Sequence, residues 1–228
     1  MKWDDFGERR RPGGGEIPDL EEIFQQFTRR FKLPGIPWFT IVVVIVAVLW
    51  LASGIYIVAP DEVGIVQRFG KYVYSTSPGP HYHLPYPIEK ATKPKVTQVR
   101  RLEVGFRTVA LVPTARYERV PAEALMLTGD ENIIDIQFIV QYVIKDPVHF
   151  LFNVYNIPKT VKDAAEASIR EIIGKTKIDD ALTVGKFQIQ QDTKELLQRI
   201  LDDYSAGINV VAVQLQDVAP PQPVIQAF

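Results

Sequence analysis

No charged side chain stands between Lys32 and Asp61. Inside that gap Ile41–Ala52 (IVVVIVAVLWLA) is uninterrupted apolar sequence. With Trp38, Phe39 and Ile55–Val58 the stretch reaches about 20 residues, enough to cross roughly 30 Å of hydrocarbon as a helix. A core helix of a soluble domain keeps a polar face, which this run lacks. Ala52-Ser53-Gly54 has the small-residue spacing of a signal-peptide cleavage site, but about 35 residues precede the run, too many for a usual n-region. The sequence therefore predicts an uncleaved transmembrane helix over residues 36–58. Trp38 and Tyr56 lie roughly 27 Å apart along such a helix, one at each interface.

Arg9, Arg10, Arg11, Arg29, Arg30 and Lys32 precede the apolar run, whereas Asp61 and Glu62 open the segment after it. By the positive-inside rule the amino terminus is cytoplasmic and the larger carboxy-terminal part lies outside the cytoplasm. Residues 1–35 form the cytoplasmic tail. Within it RRRPGGG (Arg9–Gly15) has linker composition. Leu20, Ile23, Phe24, Phe27 and Phe31 share one helical face, with Asp19 and Glu22 at its start. That pattern fits a short helix on the inner leaflet or against a partner, and equally one that only positions the anchor.

The net charge of −1 offers no field for nucleic acid. The absence of cysteine excludes disulfides and thiolate chemistry. Glu62–Tyr74 (EVGIVQRFGKYVY) reads as two strands joined around Phe69-Gly70-Lys71. The proline-rich Ser77–Lys95 shows no helical or strand period and is predicted to be an extended loop. A single strand is expected through VTQVRRLEVGFRTV, where Leu102, Val104 and Phe106 alternate with Glu103 and Arg107. From Ile134 a period of two holds for eleven residues. Ile136, Phe138, Val140, Tyr142 and Ile144 lie on one face, with Asp135, Gln137, Gln141 and Lys145 opposite.

The period then changes. Val161, Ala164, Ala165, Ser168, Ile169, Ile172 and Ile173 define one helix, ended by Gly174. Ile189, Thr193, Leu196, Leu197, Ile200, Leu201 and Tyr204 define a second. A last strand, INVVAVQLQDV, is expected to show Val211, Val213 and Leu215 on one face. Strands, two helices and a strand indicate an α+β fold with helices packed on a sheet.

Chemistry-bearing motifs are sparse. Asp130 and Glu131 are neighbours in a turn composition (Thr128–Asn132) and diverge, so no converging carboxylate pair is expected. His81 and His83 form an H-x-H pair without an identifiable third ligand, so no metal site is assigned. No P-loop, dinucleotide fingerprint, zincin or nucleophile-elbow motif occurs. No catalytic or cofactor-binding residue is assigned. Tyr82, Leu84 and Tyr86, interleaved with prolines shortly after the membrane, have the composition of an interfacial loop. With Trp38 and Tyr56 they are the candidate membrane-interface contacts.

PDLEEIF, ASGIYIVAPDEVGIVQRFGKY, PGPHYHLPYPIEK, MLTGDENIIDIQFIVQYVIKDP with LFNV, and LQDVAPPQPVIQAF occur in this order. Together they resemble the SPFH (band-7, stomatin/prohibitin-like) superfamily, most closely its HflK branch. The resemblance implies a single-pass bacterial inner-membrane protein with a periplasmic SPFH domain and no catalytic residues. It implies a scaffold that assembles with an HflC-like paralogue, in contact with membrane lipid, around the AAA+ protease FtsH and modulates it. A stomatin-like scaffold for another membrane protein shares the fold, and a membrane-anchored hydrolase with a dispersed site is the reading from another class. The expected division is a β-rich SPFH part at 59–123, an α/β part at 124–218, and the start of a coiled-coil helix at 219–228. In HflK-like proteins that helix runs on, so truncation of a longer product is expected.

Overall fold

The computed structural model describes residues 37–110, 116–183 and 185–221. The chain divides between Ser53 and Gly54 into two units. The tail helix expected at Pro18–Phe31 lies outside the described residues, as does the chain after Pro221.

In the first unit helix α1 covers Trp38–Ala52. It opens after Pro37, whose fixed φ suits the residue before a helix, and the Ser53 hydroxyl bonds back to the Trp50 carbonyl at its end. All of its residues are exposed or half-exposed. Its 15 residues rise about 22 Å, and among the described residues no helix is long and apolar enough to cross a membrane. The helix expected to continue to Val58 stops six residues sooner, because Ile55–Val58 (β1) is a strand. Tyr56 therefore lies on a strand and not on the helix that carries Trp38.

The second unit continues with β2 (Gly64–Arg68), β3 (Lys71–Thr76), β4 (Gly79–Tyr82), β5 (Glu89–Thr92), β6 (Arg100–Val104), β7 (Phe106–Ala110) and β8 (Arg116–Arg119). Then come α2 (Pro121–Ala124), β9 (Leu125–Leu127), β10 (Ile133–Ile144), α3 (Pro147–Phe152), α4 (Ile157–Ile173), α5 (Ile178–Leu182), α6 (Lys186–Asp203) and β11 (Ile208–Ala219). Every strand pair is antiparallel, in an α+β arrangement. The main sheet runs β11-β10-β6, with β9 pairing the start of β10. A second sheet runs β3-β2-β5, and β1–β4 and β7–β8 are two-stranded ribbons.

The core lies between the inner face of the main sheet and helices α4 and α6. Ile136, Phe138 and Val140 of β10 are fully buried, as their alternation dictates. Against them pack Val161, Ala165 and Ile169 of α4 with Leu197 and Leu201 of α6. Small residues at 164, 165 and 168 let α4 sit close to its neighbours, and Ser168 satisfies its hydroxyl on the Ala164 carbonyl. Tyr204, expected on the buried face of the second helix, is instead its exposed C-cap residue.

Three alternations fail, each for a local reason. The strand expected through Phe106 breaks at Gly105, whose φ of 84° suits glycine and where a Cβ would stand 2.7 Å from the Ile136 carbonyl oxygen. In β11 the register shifts twice against β10, so that Val210 and Val213 both face the core while Val211 is exposed. Two residues oppose one there, a β-bulge, and the expected Val211–Val213 face is split. Asp135, expected on the open face, is buried under Arg119.

The turn at Thr128–Asn132 forms, with Glu131 at φ 66°. The Asp130 carboxylate accepts from Thr128 Oγ1 (2.6 Å) and from the Ile178 amide (3.1 Å), tying the turn to the start of α5. The Thr128 hydroxyl and the Ile178 amide hold its pKa below the usual carboxylate value. Lying at the sheet's edge, β11 has backbone groups met by side chains of α6. Gln198 accepts from the Val210 amide and donates to the Ile208 carbonyl, and Gln190 accepts from the Leu215 amide. Such amides blunt an edge that would otherwise recruit another strand.

Candidate membrane-contact site

At Gly54 the chain enters the second unit, and the residues singled out from the sequence mostly gather near this point. A Cβ at Gly54 would lie 2.1 Å from the His83 carbonyl oxygen, so only glycine allows β1 to start there. The Gly54 carbonyl accepts from the His83 amide at 3.0 Å, and β1 then pairs with β4 as Ile55 with Tyr82, Tyr56 with His81 and Ile57 with Pro80.

Alternation assigns the two faces of this ribbon. Ile55 (67% exposed), Ile57 (68%) and Tyr82 (48%) share the open face. Tyr56 is on the other side, where its ring meets His81 and His83 at 5.9 and 5.1 Å and its hydroxyl bonds Thr76 at 3.0 Å. Tyr56 and Tyr82, both candidate contacts, are thus on opposite faces.

The proline-rich segment is ordered by one carboxylate. It was expected to be a loop without strands, yet it contributes β4 and β5, which alternation could not reveal because each has only four residues. Glu89, 3% exposed, accepts from the Leu84 amide at 2.8 Å through one oxygen and from Arg68 Nη2 and Nε at 2.7 and 3.0 Å through the other. Burial alone would raise its pKa; the Leu84 amide and the Arg68 guanidinium outweigh that and hold it below the usual range. A further backbone bond, from Phe69 to the Ile88 carbonyl, fastens the β2–β3 turn to the same loop.

Two aromatic residues stand out from this clamp, Phe69 at 77% and Tyr86 at 79% exposed. Leu84 is half-buried, and Trp38 is 68% exposed on α1. The sequence reading missed Ile55, Ile57 and Phe69. Ile55–Val58 has no apolar–polar alternation and simply continues the apolar run before it, so nothing in the sequence marked it as a strand. Phe69 was hidden as an ordinary turn residue.

His81 Nε2 and His83 Nδ1 each bond a backbone carbonyl, of Ser77 and Leu84 respectively, at 2.7 Å. Among the described residues no group of three or more His, Asp or Glu side chains is placed to hold a metal ion. Elsewhere the buried Glu123 joins α2 to the β6–β7 corner and to α4. It accepts from Arg107 at 2.6 Å, from the Gly105 amide at 3.2 Å and from Lys162. Burial opposes ionisation of Glu123, but these donors hold its pKa down. Both acids are occupied by structural partners.

The antiparallel sheets, the two packed helices and the clamped ribbon define the second unit as an α+β domain. The profile of the SPFH domain / Band 7 family matches residues 56–228, and the chain belongs to that family. Several proteins named HflK are similar to it. The chain is similar to the HflK protein of Treponema pallidum (strain Nichols), 39% identical over 186 residues, which cover 80% of this chain and 56% of that protein. It is similar to the HflK protein of Vibrio cholerae serotype O1 (30% over 225 residues, covering 92% and 52%). It is also similar to the Escherichia coli (strain K12) protein named Modulator of FtsH protease HflK (31% over 234 residues, covering 92% and 51%). The chain spans about half the length of these relatives.

Proposed function

We propose that the chain is a membrane-attached scaffold that modulates a membrane AAA+ protease of the FtsH type, together with an HflC-like paralogue, and performs no chemistry itself. The observation that carries this reading is the exposed apolar face of Ile55, Ile57 and Tyr82, which follows directly on an uncharged apolar helix. Exposed apolar patches of this kind mark contacts with lipid or protein. The name of the Escherichia coli relative supports the protease as the regulated partner.

In this reading the uncharged run 33–60 carries a single-pass anchor centred on α1, with the amino terminus cytoplasmic and the SPFH part outside. A helix shorter than the hydrocarbon core is accommodated by bilayer thinning or by flanking residues at the interface. Tyr82, Leu84, Tyr86 and Trp38 then lie at interfacial depth, whereas Tyr56 serves the ribbon's inner side. Residues 59–123 and 124–218 act as the two parts of the SPFH domain.

Two measurements test it. Single cysteines at Ser75 and Ser205 should react with impermeant maleimide in intact spheroplasts and one at Thr28 should not; the reverse pattern inverts the topology. In proteoliposomes, adding the chain and its HflC-like neighbour should change FtsH turnover of a membrane substrate. Unchanged turnover would redirect the scaffold to another membrane protein, and casein cleavage by the chain alone would replace the scaffold reading with a hydrolase.

A further inference from the structure

Charge is unevenly divided along the chain. Residues 54–101 hold seven Lys and Arg against three Asp and Glu, whereas residues 102–228 hold five more acids than bases. One of the three acids, Glu89, is buried against Arg68. A second, Asp61, faces Lys95 at 3.6 Å. The third, Glu62, accepts from the Ala59 amide.

Three of the cations lie in the β2–β3 turn or on β5 and the residue after it, in the same unit as the exposed apolar groups. Lys93 Nζ donates to the Ile57 carbonyl at 3.0 Å, which puts an ammonium at the margin of the Ile55–Ile57 face. Lys71 follows Phe69 in the β2–β3 turn and pairs with Arg68 across it. Lys90 follows Glu89 on β5, opposite Gln67. Lys71 and Lys90 are exposed and have no ion-pair partner among the described residues. Arg100 is excluded from this group, since it is held over the Phe150 ring at 5.4 Å and bonded to the Lys95 carbonyl.

We propose that this end of the domain docks on a bilayer surface rich in anionic phospholipid, with Phe69, Tyr86 and the Ile55–Ile57–Tyr82 face entering the headgroup zone and Lys71, Lys90 and Lys93 binding lipid phosphates. The argument is charge complementarity. Interfacial aromatic residues insert where their polar edges stay wet, and ammonium groups set around them meet the phosphate layer at that depth. Each Lys near an anionic surface strengthens attachment about five-fold, so the three together contribute on the order of 100-fold. The acidic remainder of the chain is repelled by the same surface, which fixes the end that faces it. The proposal rests on the membrane-contact reading above and adds the lipid class.

The test uses the full chain, which has no cysteine of its own. An environment-sensitive dye on Phe69→Cys is followed in liposomes of phosphatidylcholine alone or with 40% phosphatidylglycerol (about that fraction keeps the surface strongly anionic), with quenchers fixed at headgroup depth. Quenching should be strong with phosphatidylglycerol and weak without it. It should weaken as salt rises, stay unmoved by inorganic phosphate at matched ionic strength, and fall toward the neutral-lipid level in K71Q/K90Q/K93Q. These positions are exposed, and circular dichroism of the triple variant checks its fold. Equal quenching in both lipids would overturn the anionic selectivity while leaving membrane contact standing. Competition by inorganic phosphate at matched ionic strength would make the cations a free-anion site instead. No quenching in either lipid would overturn the contact reading itself.

Discussion

Replacing Glu89 by alanine tests whether a single buried carboxylate shapes the proposed membrane-contact end. The substitution removes the acceptor of the Leu84 amide (2.8 Å) and of Arg68 (2.7 Å) at a residue only 3% exposed. The two losses are unequal. Arg68 is 49% exposed and regains water, so its share is about 0–1 kcal/mol. The Leu84 amide loses a charged acceptor, and hydrogen bonds to charged groups are worth about 1.5–3 kcal/mol. The expected destabilisation is about 2–4 kcal/mol, a fall in Tm of roughly 5–15 °C for a domain of this size. Arg68→Gln keeps the Leu84 bond but leaves the buried Glu89 carboxylate without its counter-charge, so it should cost about 1–3 kcal/mol. Thermal unfolding in detergent measures both, and amide exchange across Leu84–Ile88 should accelerate only in the Glu89 variant. A Glu89→Ala protein with unchanged Tm and unchanged exchange there would show that the prolines hold the loop without the clamp.

Three further outcomes follow from the same contacts. Gly54→Ala should impair folding or lower stability by about 2 kcal/mol or more, because its Cβ would sit 2.1 Å from a backbone oxygen; urea unfolding with near-native stability would contradict this. Leu197→Ala and Ile169→Ala, each fully buried, should cost about 2–5 kcal/mol by denaturant titration. Glu89 and Glu123 both have folded pKa values below their ordinary ones, so the unfolded chain binds their protons first as the pH drops. The stability they contribute is complete above the unfolded carboxylate pKa and is lost as pH falls through the folded values. Unfolding between pH 7 and 3 should therefore steepen below about pH 4.5 in the parent, and that slope should flatten in Glu123→Gln.

Long periodic segments were legible in the chain because burial imposes a repeat that side-chain chemistry alone reveals. The eleven-residue alternation from Ile134 to Ile144 predicted β10, and the small-residue face from Val161 to Ile173 predicted α4. The turns at Phe69-Gly70 and Thr128–Asn132 were readable from their Gly, Asp and Asn content, although Phe69 (φ 49°) and Glu131 (φ 66°) take left-handed angles that their own residue types do not favour. The apolar run also announced a helix, but its end was not readable. Ile55–Val58 is as hydrophobic as the helix before it, and only pairing with Gly79–Tyr82, some 25 residues on, turns it into strand. Pairing partners distant in sequence likewise decided the bulges of β11, the burial of Asp135 and the strands inside the proline-rich segment. The candidate site depended on the same non-local contacts. Tyr82 and Tyr86 were named from composition, yet Ile55 and Ile57 joined the candidate site only through the pairing of β1 with β4, and Phe69 through the loop that Glu89 ties to Arg68. Residue type determines what each segment prefers; which face it shows, and to what, is settled by the strands and charges that fold back against it.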